Sequence, residues 1–182
     1  MTIGASAPAQ VMPTLPAAAS ALVGLFCLGV VAMPGFWALL NHFTRVAHEG
    51  THAIVGSVLD TRVTGVYLFG RERKGRTDVR TVPGTGFFTA VVGYFGPSGF
   101  GLAAAGLIAH GRMVAVLWIG VALLIILLPS LRTVFGFALV FGIGFLLLSI
   151  LRSKNASVET TAAYALSWLL LLSGVRGVWD RR

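Results

Sequence analysis

Long apolar runs constrain this chain more than any other feature of its sequence. They cover residues 17–33, 36–59, 87–109, 113–131, 133–151 and 160–178. A helix rises about 1.5 Å per residue, so runs of about 20 residues can cross a hydrocarbon layer about 30 Å thick. The chain of 182 residues is 56% hydrophobic and 11% charged. The sequence therefore predicts an all-α polytopic membrane protein with about six transmembrane helices.

The first half of the chain has two candidate boundaries, one between a leader and the membrane domain and one between two spans. Residues 1–16 contain three prolines and no Lys or Arg, and we interpret them as a flexible leader without the basic region of a cleavable signal peptide. Residues 17–182 form a single transmembrane domain. Within it, Pro34-Gly35 interrupts the stretch 17–59, which is either one broken helix or two spans. We favour two spans because the stretch is too long for one crossing.

The polar excursion, residues 60–86, follows the second run. Its segments 62–69 and 77–82 are rich in Val, Thr and Tyr and flank a turn-like stretch, which predicts a small β-hairpin. An exposed strand edge beside a membrane-embedded site would let an unwound peptide add as a further strand. A solvated basic loop against anionic lipid headgroups is an equally good interpretation.

The basic residues are divided unevenly between the two sides of the predicted bundle. A net charge of +8 would suggest a nucleic-acid partner for a soluble protein, but here Lys and Arg lie in short loops between apolar runs, so we exclude that partner. Alternating the spans puts ten Lys or Arg on the side of the excursion and three on the other, namely Arg112, Arg152 and Lys154. Arg45 lies within a span and is not counted. The positive-inside rule predicts a cytoplasmic excursion and cytoplasmic termini.

The second run carries a His-Glu-x-x-His pattern, His48-Glu49-Gly50-Thr51-His52. On a helix, His48 and His52 lie one turn apart on one face and can converge on one Zn²⁺. Glu49, about 100° round the helix, can take a proton from a water that the ion activates and pass it to a leaving amine. A catalytic zinc needs a third protein ligand, which must come from elsewhere in the chain.

The same residues have a purely structural interpretation. Arg45 and Glu49 are four residues apart and can form an ion pair, with the histidines hydrogen-bonded to neighbouring spans. The metal site is favoured because ionisable residues within a membrane cost on the order of several kcal/mol and are functional candidates by default. The single cysteine, Cys27, lies in an apolar run, which excludes a disulfide framework and a thiolate cluster.

Residues 93–101 are rich in glycine and contain Pro97. Small residues let helices approach closely, and a proline frees a backbone carbonyl that a neighbour must satisfy. We interpret these glycines as packing positions. We also hypothesise that the segment lies against the helix that carries the His-Glu-x-x-His pattern and shapes its cavity.

Four features together resemble the site-2 protease-like intramembrane zinc metallopeptidases: His48-Glu49-Gly50-Thr51-His52, the basic hairpin, Gly-Tyr-Phe-Gly-Pro at 93–97 and Arg-Thr-Val-Phe-Gly at 132–136. The likeness covers about residues 36–178 and is greatest to the compact actinobacterial-type branch, whose members read His-Glu-Gly-Gly-His-Ala here. The resemblance implies a bacterial cell-membrane zinc metalloendopeptidase that cleaves membrane-associated protein or peptide substrates. His48 and His52 would ligate zinc, and Glu49 would be the general base and acid.

Two departures from the family bear on the site. The Asn that often follows the family's Gly-Pro step is missing after Gly96-Pro97, so its role is not carried over. The third ligand in relatives is an Asp in a later span, whereas no Asp or Glu occurs between residues 78 and 159. The remaining candidates in the chain are Asp60, His110, Glu159 and Asp180. Relatives also tend to continue beyond the point at which this sequence stops. The alternative function is therefore a catalytically incomplete adaptor or scaffold of the same family.

Overall fold

The computed structural model describes residues 14–37, 40–41, 44, 47–48, 51, 63–68, 75–79 and 86–179. Its helices are α1 (Ala17–Ala32), α2 (Gly86–Ala109), α3 (Met113–Leu127), α4 (Val134–Ser153) and α5 (Ala156–Trp179), its strands are β1 (Val63–Leu68) and β2 (Gly75–Val79), and a 3-10 turn covers Leu128–Ser130. We call residues 34–51 the motif segment, and all its described residues are helical. Most of the expected leader, residues 1–13, lies outside the described residues.

The predicted interruption between the first two runs is confirmed. Helix α1 ends at Ala32, and Met33 is extended, with φ −73° and ψ 124°. Pro34 then begins the motif segment, where a residue without an N–H suits the first turn of a helix. The Trp37 N–H donates to the Met33 carbonyl at 2.8 Å. The helical hydrogen-bond pattern therefore resumes at this residue.

Helix α5 is the central helix and packs against α1, α2, α3 and α4. The backbones of α5 and α2 lie close together. The Ser167 hydroxyl donates to the Gly101 carbonyl at 2.9 Å, and the Ser98 hydroxyl donates to the Leu171 carbonyl at 3.4 Å. A Cβ at Gly101 would lie 2.8 Å from the Leu171 nitrogen. Residues of increasing number in α2 contact residues of decreasing number in α5, so the two helices are antiparallel.

Tight turns reverse the chain between successive helices. Gly111 adopts φ 70° between α2 and α3, a left-handed conformation that glycine takes without strain. Between α4 and α5, the Asn155 side chain caps α5 by accepting from the Ser157 and Val158 N–H groups. Apolar side chains of α2 to α5 form the core around Met113 and Leu117, which are fully buried.

Strands β1 and β2 lie within the excursion and pair antiparallel, with Val66 opposite Thr77 and Leu68 opposite Gly75. Strand β1 also contacts the turn Leu128–Ser130 and helix α4. These contacts put β1 at the end of the bundle where α3 leads into α4. We call this the hairpin end. The C-terminus of α5 lies at the same end. We call the opposite end, which has the turns at 110–112 and 154–155, the tight-turn end.

Large apolar side chains cover the outside of the bundle. Phe26 is 72% exposed, Phe141 62% and Phe145 76%, as expected of side chains that face lipid rather than water. Residues 134–153 and 156–177 are long and apolar enough to cross a membrane, and α1, residues 95–109 and α3 are shorter apolar helices. These helices and the apolar outer surface are typical of a helical membrane protein, while the number of about six spans stays a prediction.

Candidate metal centre

One face of the motif segment is buried and carries His48. Thr44, His48 and Thr51 are spaced by four and three residues, so they share a helix face, and they are only 6%, 8% and 6% exposed. The Thr44 hydroxyl donates to the Leu40 carbonyl at 3.1 Å, and the Thr51 hydroxyl donates to the Ala47 carbonyl at 2.7 Å. Because both hydroxyls are satisfied within the helix, the His48 imidazole is the ligating side chain among the described residues of this face.

Helix α2 approaches this face at Gly96. A Cβ built on Gly96 would lie 2.7 Å from both Cβ and Cγ2 of Thr51, closer than real Cβ atoms come to other heavy atoms. Glycine is therefore required where α2 meets the turn that follows His48, immediately before the buried Pro97. The hypothesis that residues 93–101 pack against the helix with the His-Glu-x-x-His pattern is confirmed at this position.

Helix α5 holds the start of the motif segment through Arg176. The guanidinium carbon of Arg176 lies 4.8 Å from the centroid of the Trp37 ring. The same guanidinium donates a hydrogen bond from Nη1 to the Val31 carbonyl. Val31 is in the last turn of α1, where carbonyls lack a helical partner. Arg176 therefore joins both sides of the break at Met33 to α5.

Of the three predicted site residues, the structure describes His48. Glu49 and His52, with Arg45, lie outside the described residues. An imidazole nitrogen is an ordinary zinc ligand, so the buried His48 fits the proposed metal as one donor. Within the described ranges, no group of three or more His, Cys, Asp or Glu side chains is arranged to hold a metal ion.

Cys27 is buried in α1, with Sγ 3.8 Å from the Ala165 carbonyl, as expected of a small packing residue.

Two candidates for the third ligand lie at the wrong end of the bundle. His110 follows Gly96 by 14 residues along α2, which corresponds to about 21 Å. His110 is exposed, and its Nδ1 lies 2.8 Å from the Gly106 carbonyl. Glu159 lies in the first turn of α5, also at the tight-turn end. Zinc–ligand bonds are about 2 Å long, so neither residue can share a metal with His48. Asp60 and Asp180 lie outside the described residues.

Sequence reasoning missed the role of Arg176, which it counted only as a topology charge. A signal for that role was available, because Arg176 lies inside the apolar run 160–178, and a charge within such a run is by default a candidate for a specific interaction. Nothing in the sequence identified Trp37 and Val31 as its partners.

The family described as Peptidase M50B-like matches residues 20–182 of this chain. The match includes the motif segment, the excursion and the helices α2 to α5. The resemblance drawn from the motifs is thereby confirmed at the level of the family. Searches of curated proteins and of solved structures returned no match.

Proposed function

This chain belongs to the Peptidase M50B-like family, and we propose that it is an intramembrane zinc metallopeptidase that hydrolyses peptide bonds of membrane-associated substrates. The observation that carries the proposal is the burial of His48 on the face of the motif segment that meets α2 at Gly96. An ionisable side chain held inside a bundle with an apolar outer surface is by default a functional candidate. The His-Glu-x-x-His spacing predicts that its function is to bind a metal ion.

In this proposal, the imidazoles of His48 and His52 would hold Zn²⁺. The bound ion would supply Lewis-acid activation of water and of the scissile carbonyl. Glu49 takes the proton of the attacking water and delivers it to the leaving amine. Arg45 lies four residues before Glu49, and pairing between them would lower the basicity of the carboxylate, so we expect Arg45 to find another partner.

The depth of the site suggests where cleavage occurs. The contact between Gly96 and Thr51 is about 21 Å from the tight-turn end along α2, in a hydrocarbon layer about 30 Å thick. His48 is one turn from Thr51, so the proposed centre lies in the half of the membrane nearer the hairpin end. We expect scissile bonds close to that interface, where an unwound substrate would add as a further strand to the excursion.

The charges of the bundle support a cytoplasmic hairpin end. Arg132 follows the turn Leu128–Ser130, and Arg176 is in the last turn of α5, so both belong to the hairpin end, as does Arg76 of β2. We expect the other basic residues of the excursion on the same side. Arg112, Arg152 and Lys154 flank the tight turns. The larger number of Lys and Arg at the hairpin end is typical of the cytoplasmic side.

The second candidate function is an adaptor or scaffold that retains the motif segment without a complete metal site. The position of His110 and Glu159 at the tight-turn end favours it, because it leaves fewer candidates for a third ligand. Metal analysis of the purified protein, together with a peptidase assay on a membrane-spanning substrate, distinguishes the two functions. A peptidase carries zinc and loses activity in Glu49→Gln, whereas a scaffold folds without stoichiometric metal.

A further inference from the structure

The contact between Thr51 and Gly96 leaves neither residue free to move. Thr51 is 6% exposed and its hydroxyl is bonded to the Ala47 carbonyl at 2.7 Å. A β-branched side chain in a helix has few alternative χ1 rotamers. Rotation about χ1 also leaves the Thr51 Cβ in place, and that atom alone would lie 2.7 Å from a Cβ on Gly96.

Helix α2 cannot retreat from the motif segment either, because its other side is fixed to α5. Gly101 is one turn and a half further along α2 and accepts a buried hydrogen bond from Ser167 at 2.9 Å. A Cβ on Gly101 would already collide with Leu171 of α5. Any added volume at position 96 must therefore displace the motif segment, and the displaced turn is the one directly after His48.

We propose that Gly96 and Thr51 are a positioning pair that sets the location of the His48 imidazole. The inference rests on the proposed function, because the consequence of the position is metal affinity. Neither residue touches the metal or the substrate. Gly96 acts by letting the Thr51 side chain rest against the backbone of α2, which fixes the depth of the helix face that carries His48.

The pair predicts an order of rescue that depends on one carbon atom. Gly96→Ala adds a Cβ that collides with Thr51. Thr51→Gly removes all the Thr51 atoms in the collision and leaves room for the added methyl. Thr51→Ala removes the nearest atom, Oγ1, and also Cγ2, but it retains the Cβ at 2.7 Å, so part of the collision remains. Rescue of Gly96→Ala should therefore be greater with Thr51→Gly than with Thr51→Ala.

The experiment is a Zn²⁺ titration of the full chain, purified in detergent and stripped with a chelator, with the Co²⁺ absorption spectrum as a probe of ligand geometry. The matched control is Gly99→Ala on the same helix, where a Cβ meets nothing within 4 Å. Helical content and the thermal midpoint are measured for every variant.

Gly96→Ala should weaken zinc binding about 10–100-fold, as loss of residues that orient metal ligands does. Gly99→Ala should stay within about twofold of wild type, as expected of a substitution without contacts. Gly96→Ala combined with Thr51→Gly should recover most of the affinity and the wild-type cobalt spectrum. If Gly96→Ala does not fold, Thr51→Gly alone is compared with the double variant, which should bind zinc more tightly because the methyl fills the gap.

Two outcomes overturn the positioning pair. They are zinc affinity in Gly96→Ala equal to that of Gly99→Ala, and equal rescue of Gly96→Ala by Thr51→Gly and by Thr51→Ala. In each of them the wild-type chain still binds zinc, so the proposed function survives. A folded wild-type chain that binds neither Zn²⁺ nor Co²⁺ overturns the proposed function and, with it, the role of the pair.

Discussion

The guanidinium of Arg176 stacks over the ring of Trp37 at 4.8 Å, across 139 positions of the sequence. Trp37 is 6% exposed, and the same guanidinium donates to the Val31 carbonyl. One side chain of α5 therefore fixes the end of α1 and the beginning of the motif segment. Cation–π contacts that are shielded from water contribute about 2 kcal/mol, so this contact is a substantial part of what holds the motif segment in place.

The first prediction concerns this contact. Arg176→Met keeps much of the side-chain volume and removes both interactions, so it should lower the free energy of unfolding by about 2–3 kcal/mol. Arg176→Lys should be intermediate, because an ammonium lacks the planar face that stacks on an aromatic ring. Reversible unfolding in mixed detergent measures the change. The control is Arg152→Met at an exposed position of α4, and equal stability of the two Met variants would contradict the prediction.

The second prediction separates catalysis from structure at Glu49. Gln is nearly isosteric with Glu but cannot accept a proton, so Glu49→Gln should retain zinc and lose peptidase activity by about 10²–10⁴-fold. Activity on a membrane-spanning substrate, zinc content and helical content are measured on one preparation. Loss of zinc and of fold together would mean that Glu49 serves chiefly as the counter-ion of Arg45.

The third prediction follows from the position of Glu159 at the tight-turn end. Along α5, Glu159 lies about 22 Å from Gly174, which packs against α2 beside Ser98. Glu159→Gln should therefore leave zinc content and peptidase activity unchanged. Elemental analysis and the same assay test this. A folded Glu159→Gln protein that has lost its zinc would show that the ends of the bundle are not separated as described.

The fourth prediction is the orientation of the protein in the membrane. Single cysteines at Lys74 and Ser153 are placed in a Cys27→Ala background and treated with a membrane-impermeant thiol reagent in intact cells. Lys74→Cys should be protected until the cells are opened, and Ser153→Cys should be labelled at once, because ten basic residues against three favour a cytoplasmic hairpin end. The reverse labelling pattern would mean an inverted topology.

Much of the helical framework follows from the apolar runs, and the differences have local causes. The run 113–131 continues past α3, which ends at Leu127 because Pro129 enters a 3-10 turn. In the other direction, α5 begins four residues before the run 160–178, because Asn155 caps the helix in a polar stretch. Hydropathy reports which residues lie in the membrane, whereas caps and prolines decide where a helix starts and ends.

The contacts of the candidate site could not be predicted in the same way. The spacing of Thr44, His48 and Thr51 indicates a shared helix face, and the glycine content of residues 93–101 indicates close packing. Neither pattern shows that Gly96 is the residue that meets Thr51, because periodicity identifies a face and not its partner. The pairing depends on where α2 crosses the motif segment. Helix α2 is held at that position by its contacts with α5 through Ser98, Gly101 and Ser167.

The most direct test of the account is the zinc content of the purified protein and of two histidine variants. Wild type should carry close to one Zn²⁺ per chain, because the structure holds His48 buried where a metal ligand is expected. His48→Ala should lose the metal, and His110→Ala, which alters an exposed histidine at the tight-turn end, should retain it. Folded wild-type protein without metal at neutral pH, or unchanged zinc in His48→Ala, would contradict the account.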